Sequence, residues 1–143
     1  MRRGQLLAAL TAGTLIGAAC AAMSGSLRVK VEPSTYSPVM SSTVGIGLLP
    51  DFDRPEGEDI RIHWRADFGR FVSWKGPSYE VVPHGPDFTT GREKVYWTYD
   101  AATAPTHRRP VQIEVEAIDW KTGVVLVRTG LVLVWDGDVV RLR

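Results

Sequence analysis

The feature that most restricts what this chain can fold into is strict alternation of apolar and polar residues, repeated along nearly its whole length. Leu27, Val29 and Val31 alternate with Arg28, Lys30 and Glu32, and Val44, Ile46 and Leu48 alternate with Thr43, Gly45 and Gly47. Ile60, Ile62, Trp64 and Ala66 fall on one face while Arg61, His63 and Arg65 fall on the other. Val95, Trp97 and Tyr99 alternate with Lys94, Tyr96 and Thr98, and Val111, Ile113, Val115 and Ala117 with Gln112, Glu114 and Glu116. Successive side chains of a strand point to opposite faces, so each run buries one face of a sheet. Shorter strands are expected at Phe71 to Trp74 and Tyr79 to Val82, a long one from Val124 to Trp135 with an interruption near Gly130, and a last short one at Val139 to Leu142. No helical period is sustained after residue 26.

Turn chemistry separates these runs. Pro33, Pro38, Pro50, Pro55-Glu56-Gly57, Gly76-Pro77, Pro83-His84-Gly85-Pro86 and Thr90-Gly91 are read as breaks, because proline cannot donate to a ladder. Asp119-Trp120-Lys121-Thr122-Gly123 places glycine where a tight hairpin needs a positive φ, and Asp136-Gly137-Asp138 offers a second turn. Seven to nine short antiparallel strands, each with one buried face, predict an all-β sandwich of two packed sheets over residues 27–143.

Three segments also carry a resemblance. Trp64-Arg65-Ala66-Asp67-Phe68-Gly69-Arg70-Phe71, Val95-Tyr96-Trp97, and Val111 to Asp119 followed by Thr122-Gly123 resemble the immunoglobulin-like modules of bacterial surface proteins, including those of polycystic-kidney-disease (PKD) type. The resemblance covers residues 27–135. It implies that Trp64 lies on a central strand between the sheets, that Ala66-Asp67-Phe68-Gly69 turns the chain, and that the late alternating strand pairs with the C-terminal one. The paired cysteines of antibody domains are missing, so Trp64 is expected to pack on aliphatic residues. Such a fold hosts many unrelated activities and says little about function.

The first nineteen residues have a different character. Arg2 and Arg3 precede an uncharged run from Leu6 to Ile16, followed by the small residues Gly17, Ala18 and Ala19. That order is read by export machinery, and the run is well short of the roughly 20 residues a spanning helix requires. The only cysteine, Cys20, ends Leu15-Ile16-Gly17-Ala18-Ala19-Cys20. This resembles the lipobox of bacterial lipoproteins, although Gly17 stands where that family usually carries leucine. The resemblance implies an acylated Cys20 as the new N-terminus, with outer-membrane sorting in a two-membrane cell because Ala21 follows it. Ordinary cleavage after Ala21 is the competing reading and would discard the cysteine. The expected organisation is a signal peptide over residues 1–19, a short tether over 20–26 and one sandwich domain.

Charge narrows the partners. The chain has 17 Lys plus Arg against 16 Asp plus Glu, and removal of Arg2 and Arg3 leaves a balance near −1. A mixed surface of this kind gives no reason to expect nucleic acid, which requires a concentrated basic face. With one cysteine no internal disulfide can form, so packing alone must hold the domain together.

Residues suited to catalysis are scattered. His63, His84 and His107 show no metal-ligand spacing, no serine stands in a Gly-x-Ser-x-Gly elbow, and Glu114 and Glu116 read as a solvated sheet face. No enzyme and no cofactor is expected. The acidic stretch from Asp51 to Asp59 has carboxylates suited to Ca²⁺ at Asp51, Asp53, Glu56, Glu58 and Asp59, but Pro55 and Gly57 are misplaced for an EF-hand and a solvated loop is the expectation. Among the aromatics, Trp64 and Trp97 share faces with Ile and Val and belong to the core, while Trp74, Tyr96 and Trp120 are the candidates for ligand contact. The function expected is therefore a noncatalytic, lipid-anchored envelope module that binds a protein partner or serves structurally. The alternative is a carbohydrate- or cell-wall-binding module using those three rings.

Overall fold

Ile60–Ala66 and Val111–Asp119, the two segments with the cleanest alternation, lie side by side at the centre of the molecule. The computed structural model describes residues 25–54, 58–75 and 80–143. The signal segment, Cys20 and Glu56 lie outside the described residues.

Eleven strands are found among the described residues: β1 Leu27–Val31, β2 Thr35–Tyr36, β3 Ile46–Phe52, β4 Ile60–Ala66, β5 Arg70–Ser73, β6 Val82–Gly85, β7 Asp87–Thr90, β8 Val95–Thr98, β9 Val111–Asp119, β10 Val124–Asp136 and β11 Val139–Leu142. One sheet has the order β1-β3-β8-β5-β6 and the other β2-β11-β10-β9-β4-β7, with antiparallel pairing throughout. The result is the expected all-β sandwich, compatible with an immunoglobulin-like arrangement.

The two faces follow the alternation. Ile60, Ile62, Trp64 and Ala66 of β4 and Val111, Ile113, Val115 and Ala117 of β9 are buried, and they meet Ile46, Leu48, Phe71, Val95 and Trp97 from the facing sheet. Among the described residues, every buried core residue lies between Leu27 and Val140. Trp64 is fully buried, as the resemblance implied, but its nearest ring is aromatic: Phe71 stands 5.9 Å away across the core.

Several boundaries differ from the sequence expectation, each for an identifiable reason. Two strands without an expected counterpart raise the count above nine: β2 has only two residues, and β7, Asp87-Phe88-Thr89-Thr90, has a single apolar residue and so no alternation to show. Pro50 does not end a strand, since β3 runs through it to Phe52. The β3–β8 ladder stops at Leu48, opposite Val95, so at Pro50 one side of β3 has no ladder to lose. Pro83 and His84 likewise lie inside β6, an edge strand where a missing N–H costs little. At Gly85, φ is +80°, a left-handed conformation favoured by glycine, and there the chain leaves one sheet at β6 to enter the other at β7. Strand β10 is continuous past Gly130; its irregularity falls between Val125 and Val127 instead. Both expected hairpins form, with Gly123 and Gly137 at φ +74° and +63°.

Register assigns each loop to one of two ends. Leu27 lies opposite Phe52, and Ile60 opposite Asp119, so the chain enters beside the 53–59 loop and the β9–β10 hairpin. Ile46 lies opposite Trp97 and Arg70 opposite Thr98, so the loops 37–45, 67–69 and 99–110 and the turn 136–138 gather at the other end.

Candidate functional site at the end opposite the chain entry

A connected set of rings forms the floor of that far end. Tyr99 stacks edge-on against Trp135 at 4.9 Å and Tyr36 at 6.0 Å, and lies 5.7 Å from Trp97; Phe68 sits within 6.4 Å of Trp97, Tyr99 and Trp135. Their polar atoms fasten the loops above. Trp97 Nε1 donates to the Phe68 carbonyl at 2.8 Å and Trp135 Nε1 to that of Arg109 at 3.1 Å. Arg70 grips Asp100 with two bonds of 3.0 Å, fixing the start of the 99–110 loop.

Above this floor lies a cleft of about 300 Å³. One wall is Pro38, Val39 and Met40; the other is Ala101 and Ala104; Tyr99 lies beneath, with Arg108 and Asp138 at the lip. Val39 is 82% exposed and Met40 67%, the two largest exposures among the described large hydrophobics. They are held out by a closed turn. The Ser37 amide donates to the Ser41 hydroxyl at 2.9 Å, the Ser41 amide returns to the Ser37 carbonyl at 3.0 Å, and the Val39 amide reaches the Ser37 hydroxyl at 3.4 Å. An apolar pair on an ordered turn has lost part of its conformational freedom already, which lowers the entropy cost of binding.

The lip is charge-neutral. Arg108 donates to Asp138 Oδ1 at 2.8 Å and to the Gly137 carbonyl, with its guanidinium 5.2 Å from the Trp135 ring centre. The Tyr99 hydroxyl donates to the Asp138 carbonyl at 3.3 Å. Burial raises the Tyr99 phenol above its ordinary value of 10.0, against the opposing pull of Arg108. Chemically the cleft offers apolar walls and a few fixed polar groups, an arrangement with room for an apolar side chain.

The aromatic trio expected from the sequence does not converge here, nor anywhere else. Tyr96 does face outward from its sheet, yet it is only 7% exposed. Trp74 packs edge-on against it at 5.5 Å and the Lys94 ammonium lies 5.2 Å from its ring centre, while Gly47 opposite leaves room for the ring. Trp120 is 53% exposed but stands on the hairpin of the other sheet, with the Arg61 guanidinium as its neighbour at 5.8 Å. Trp74 and Tyr96 meet at 76°, so they present no shared flat face for a sugar ring.

The acidic residues disperse in the same way. Asp51 belongs to β3, Asp53 Oδ1 accepts from the Ser26 amide at 3.0 Å, Glu58 faces Arg54 at 3.7 Å and Asp59 faces Arg61 at 3.3 Å. Among the described residues no three metal-ligating side chains come together.

His63 and His84 have partners that the sequence concealed. His63 Nε2 lies 2.6 Å from Asp87 Oδ1, and Glu116, expected to be solvated, is only 8% exposed on the outer sheet face beside His63, Arg65 and Arg128. Long arginine side chains lying across a flat sheet cover it. His84 Nε2 is 2.6 Å from Ser73 Oγ, and its ring lies parallel to Phe88 at 4.5 Å, capping the open edge between β6 and β7. Among the described residues no carboxylate bonds the His84 ring.

Protein-family models, curated proteins and solved structures yield no match to the chain. The far-end cleft therefore stands on its own geometry. Val39 and Met40 carried one sequence signal, an apolar pair outside the alternation and inside a Ser- and Pro-rich loop. Tyr99 and Asp138 signalled only a buried strand face and a turn, and Arg108 nothing; the fold alone brings the three together.

Proposed function

We propose that this protein is an exported, lipid-anchored module of the bacterial immunoglobulin-like kind, a group that includes PKD-type modules, that acts by binding a protein partner through the Val39–Met40 cleft and carries out no chemistry of its own. The observation that carries the reading is the opposition of the two ends. The tether joins the domain beside Phe52, and the most exposed apolar pair stands with its cleft at the other end. A domain held by an acylated Cys20 would turn that cleft away from the membrane, toward other envelope components. Loops on a rigid sandwich are where binding residues are most often placed.

Two measurements test the proposal. The mass of the mature N-terminus should correspond to an acylated Cys20, whereas an unmodified chain beginning at Ala22 would remove the anchor from the reading. A photo-crosslinking residue at Met40, in the cells that naturally make the protein, should give a discrete adduct that disappears on Val39→Asp. The same residue at exposed Arg128 on the outer sheet face should give none, and equal labelling at both positions would count against the cleft.

A further inference from the structure

The end at which the chain enters the sandwich carries its own exposed aromatic. Trp120 stands at the tip of the β9–β10 hairpin, 53% exposed, with Val124 47% exposed at the start of β10. The hairpin is braced. The Trp120 amide donates to the Asp59 carbonyl at 2.9 Å, the Lys121 amide to Asp119 Oδ1 at 3.0 Å and the Gly123 amide to the Asp119 carbonyl at 2.7 Å. Among the described residues no acceptor takes the indole N–H of Trp120, and its ring has the Arg61 guanidinium alongside at 5.8 Å. A tryptophan presented with an apolar body, a free N–H and neighbouring cations at Arg61 and Lys121 has the composition that settles at a bilayer's headgroup layer.

Tether length makes that contact reachable. From Cys20 to Ser26 the chain is seven residues, which extend to at most about 25 Å. Leu27 lies opposite Phe52, at the same end as the pairing of Ile60 with Asp119 that begins the hairpin. We infer that Trp120, at the tip of the β9–β10 hairpin, rests in the headgroup layer of the bilayer that holds Cys20, fixing the domain upright with its far-end cleft outward. The inference rests on the anchored reading. A single indole binds a bilayer weakly, but a short tether raises its effective concentration enough for the contact to be populated. Two cations at this end face carboxylates, Arg54 with Glu58 and Arg61 with Asp59, and Asp51, Asp53 and Asp119 lie at the same end, so the contact is led by the indole and does not require anionic lipid.

The test supplies the anchor chemically, so that failure of natural acylation and failure of this contact are separable. The chain from Cys20 to Arg143, which holds every core residue, is coupled through the Cys20 thiol to a maleimide lipid in phosphatidylcholine vesicles containing a lipid brominated near the headgroup. Bromine should quench part of the tryptophan emission. That quench should disappear in Trp120→Ala, whose circular dichroism and melting should match the parent because the ring is exposed. It should also disappear when Cys20→Ser is combined with a cysteine appended after Arg143, which moves the anchor. No quench in the parent chain, or an undiminished quench in Trp120→Ala, would overturn the inference. So would a quench seen only with anionic vesicles and abolished by high salt.

Discussion

Replacing Trp64 with alanine should remove a large share of the stability of this domain. The side chain is fully buried in the middle of β4, with Val115 of β9 on one side, Phe88 of β7 on the other and Phe71 across the core. An indole buries about 200 Å², and at about 25 cal/mol per Å² its removal from water contributes about 5 kcal/mol. One term acts the other way. Trp64 Nε1 is buried without a hydrogen-bond partner among the described residues, and such a group costs about 1–3 kcal/mol that truncation returns. The expected loss for Trp64→Ala is therefore about 2–4 kcal/mol, set against a total of about 5–15 kcal/mol for an ordinary domain. Trp64→Phe removes the unpaired N–H and keeps most of the apolar contact, so it should cost less than about 1.5 kcal/mol. Urea unfolding of the chain from Ser24 onward, followed by circular dichroism because the substitution alters fluorescence, measures both. With a slope of about 1–3 kcal/mol per molar, the alanine midpoint should fall by about 0.7 M or more. An alanine midpoint equal to the parent's, or a phenylalanine variant as unstable as the alanine one, would refute the placement of Trp64 or the account of its N–H.

Two further outcomes follow from named contacts. Because the folded state raises the Tyr99 phenol above 10.0, its contribution to stability is complete below pH 10 and is lost as pH rises from there through the folded value; alkaline unfolding midpoints should show this fall in the parent, and Tyr99→Phe should remove it. Gly47→Ala should destabilise by about 1–3 kcal/mol, since a Cβ there would run into the Glu32 carbonyl and lie 2.6 Å from Lys94 Cε; a melting temperature unchanged by the substitution would mean that residues 32–33, which exchange backbone hydrogen bonds with Gly47, are not held in place.

Period-two alternation was enough to determine that this chain forms sheets, which face of β1, β4 and β9 is buried, and that Trp64 and Trp97 are core, because strand geometry ties side-chain direction to sequence parity alone. Glycine positions likewise announced the hairpins at 119–123 and 136–138, where only a residue without a Cβ adopts the required φ cheaply. Other properties depended on what lies beside a residue in space. Proline at 50 and 83 is tolerated because one flank of each strand has no ladder there, and edge status is a property of sheet order. Tyr96 occupies an outward position yet is covered, because Trp74 and Lys94 close over it, and Glu116 is covered by side chains from β4 and β10. The far-end cleft draws Val39, Tyr99, Ala104, Arg108 and Asp138 from three separate connections. Its existence was decided only when antiparallel register carried those connections to the same end of the sandwich and left the chain entry at the other.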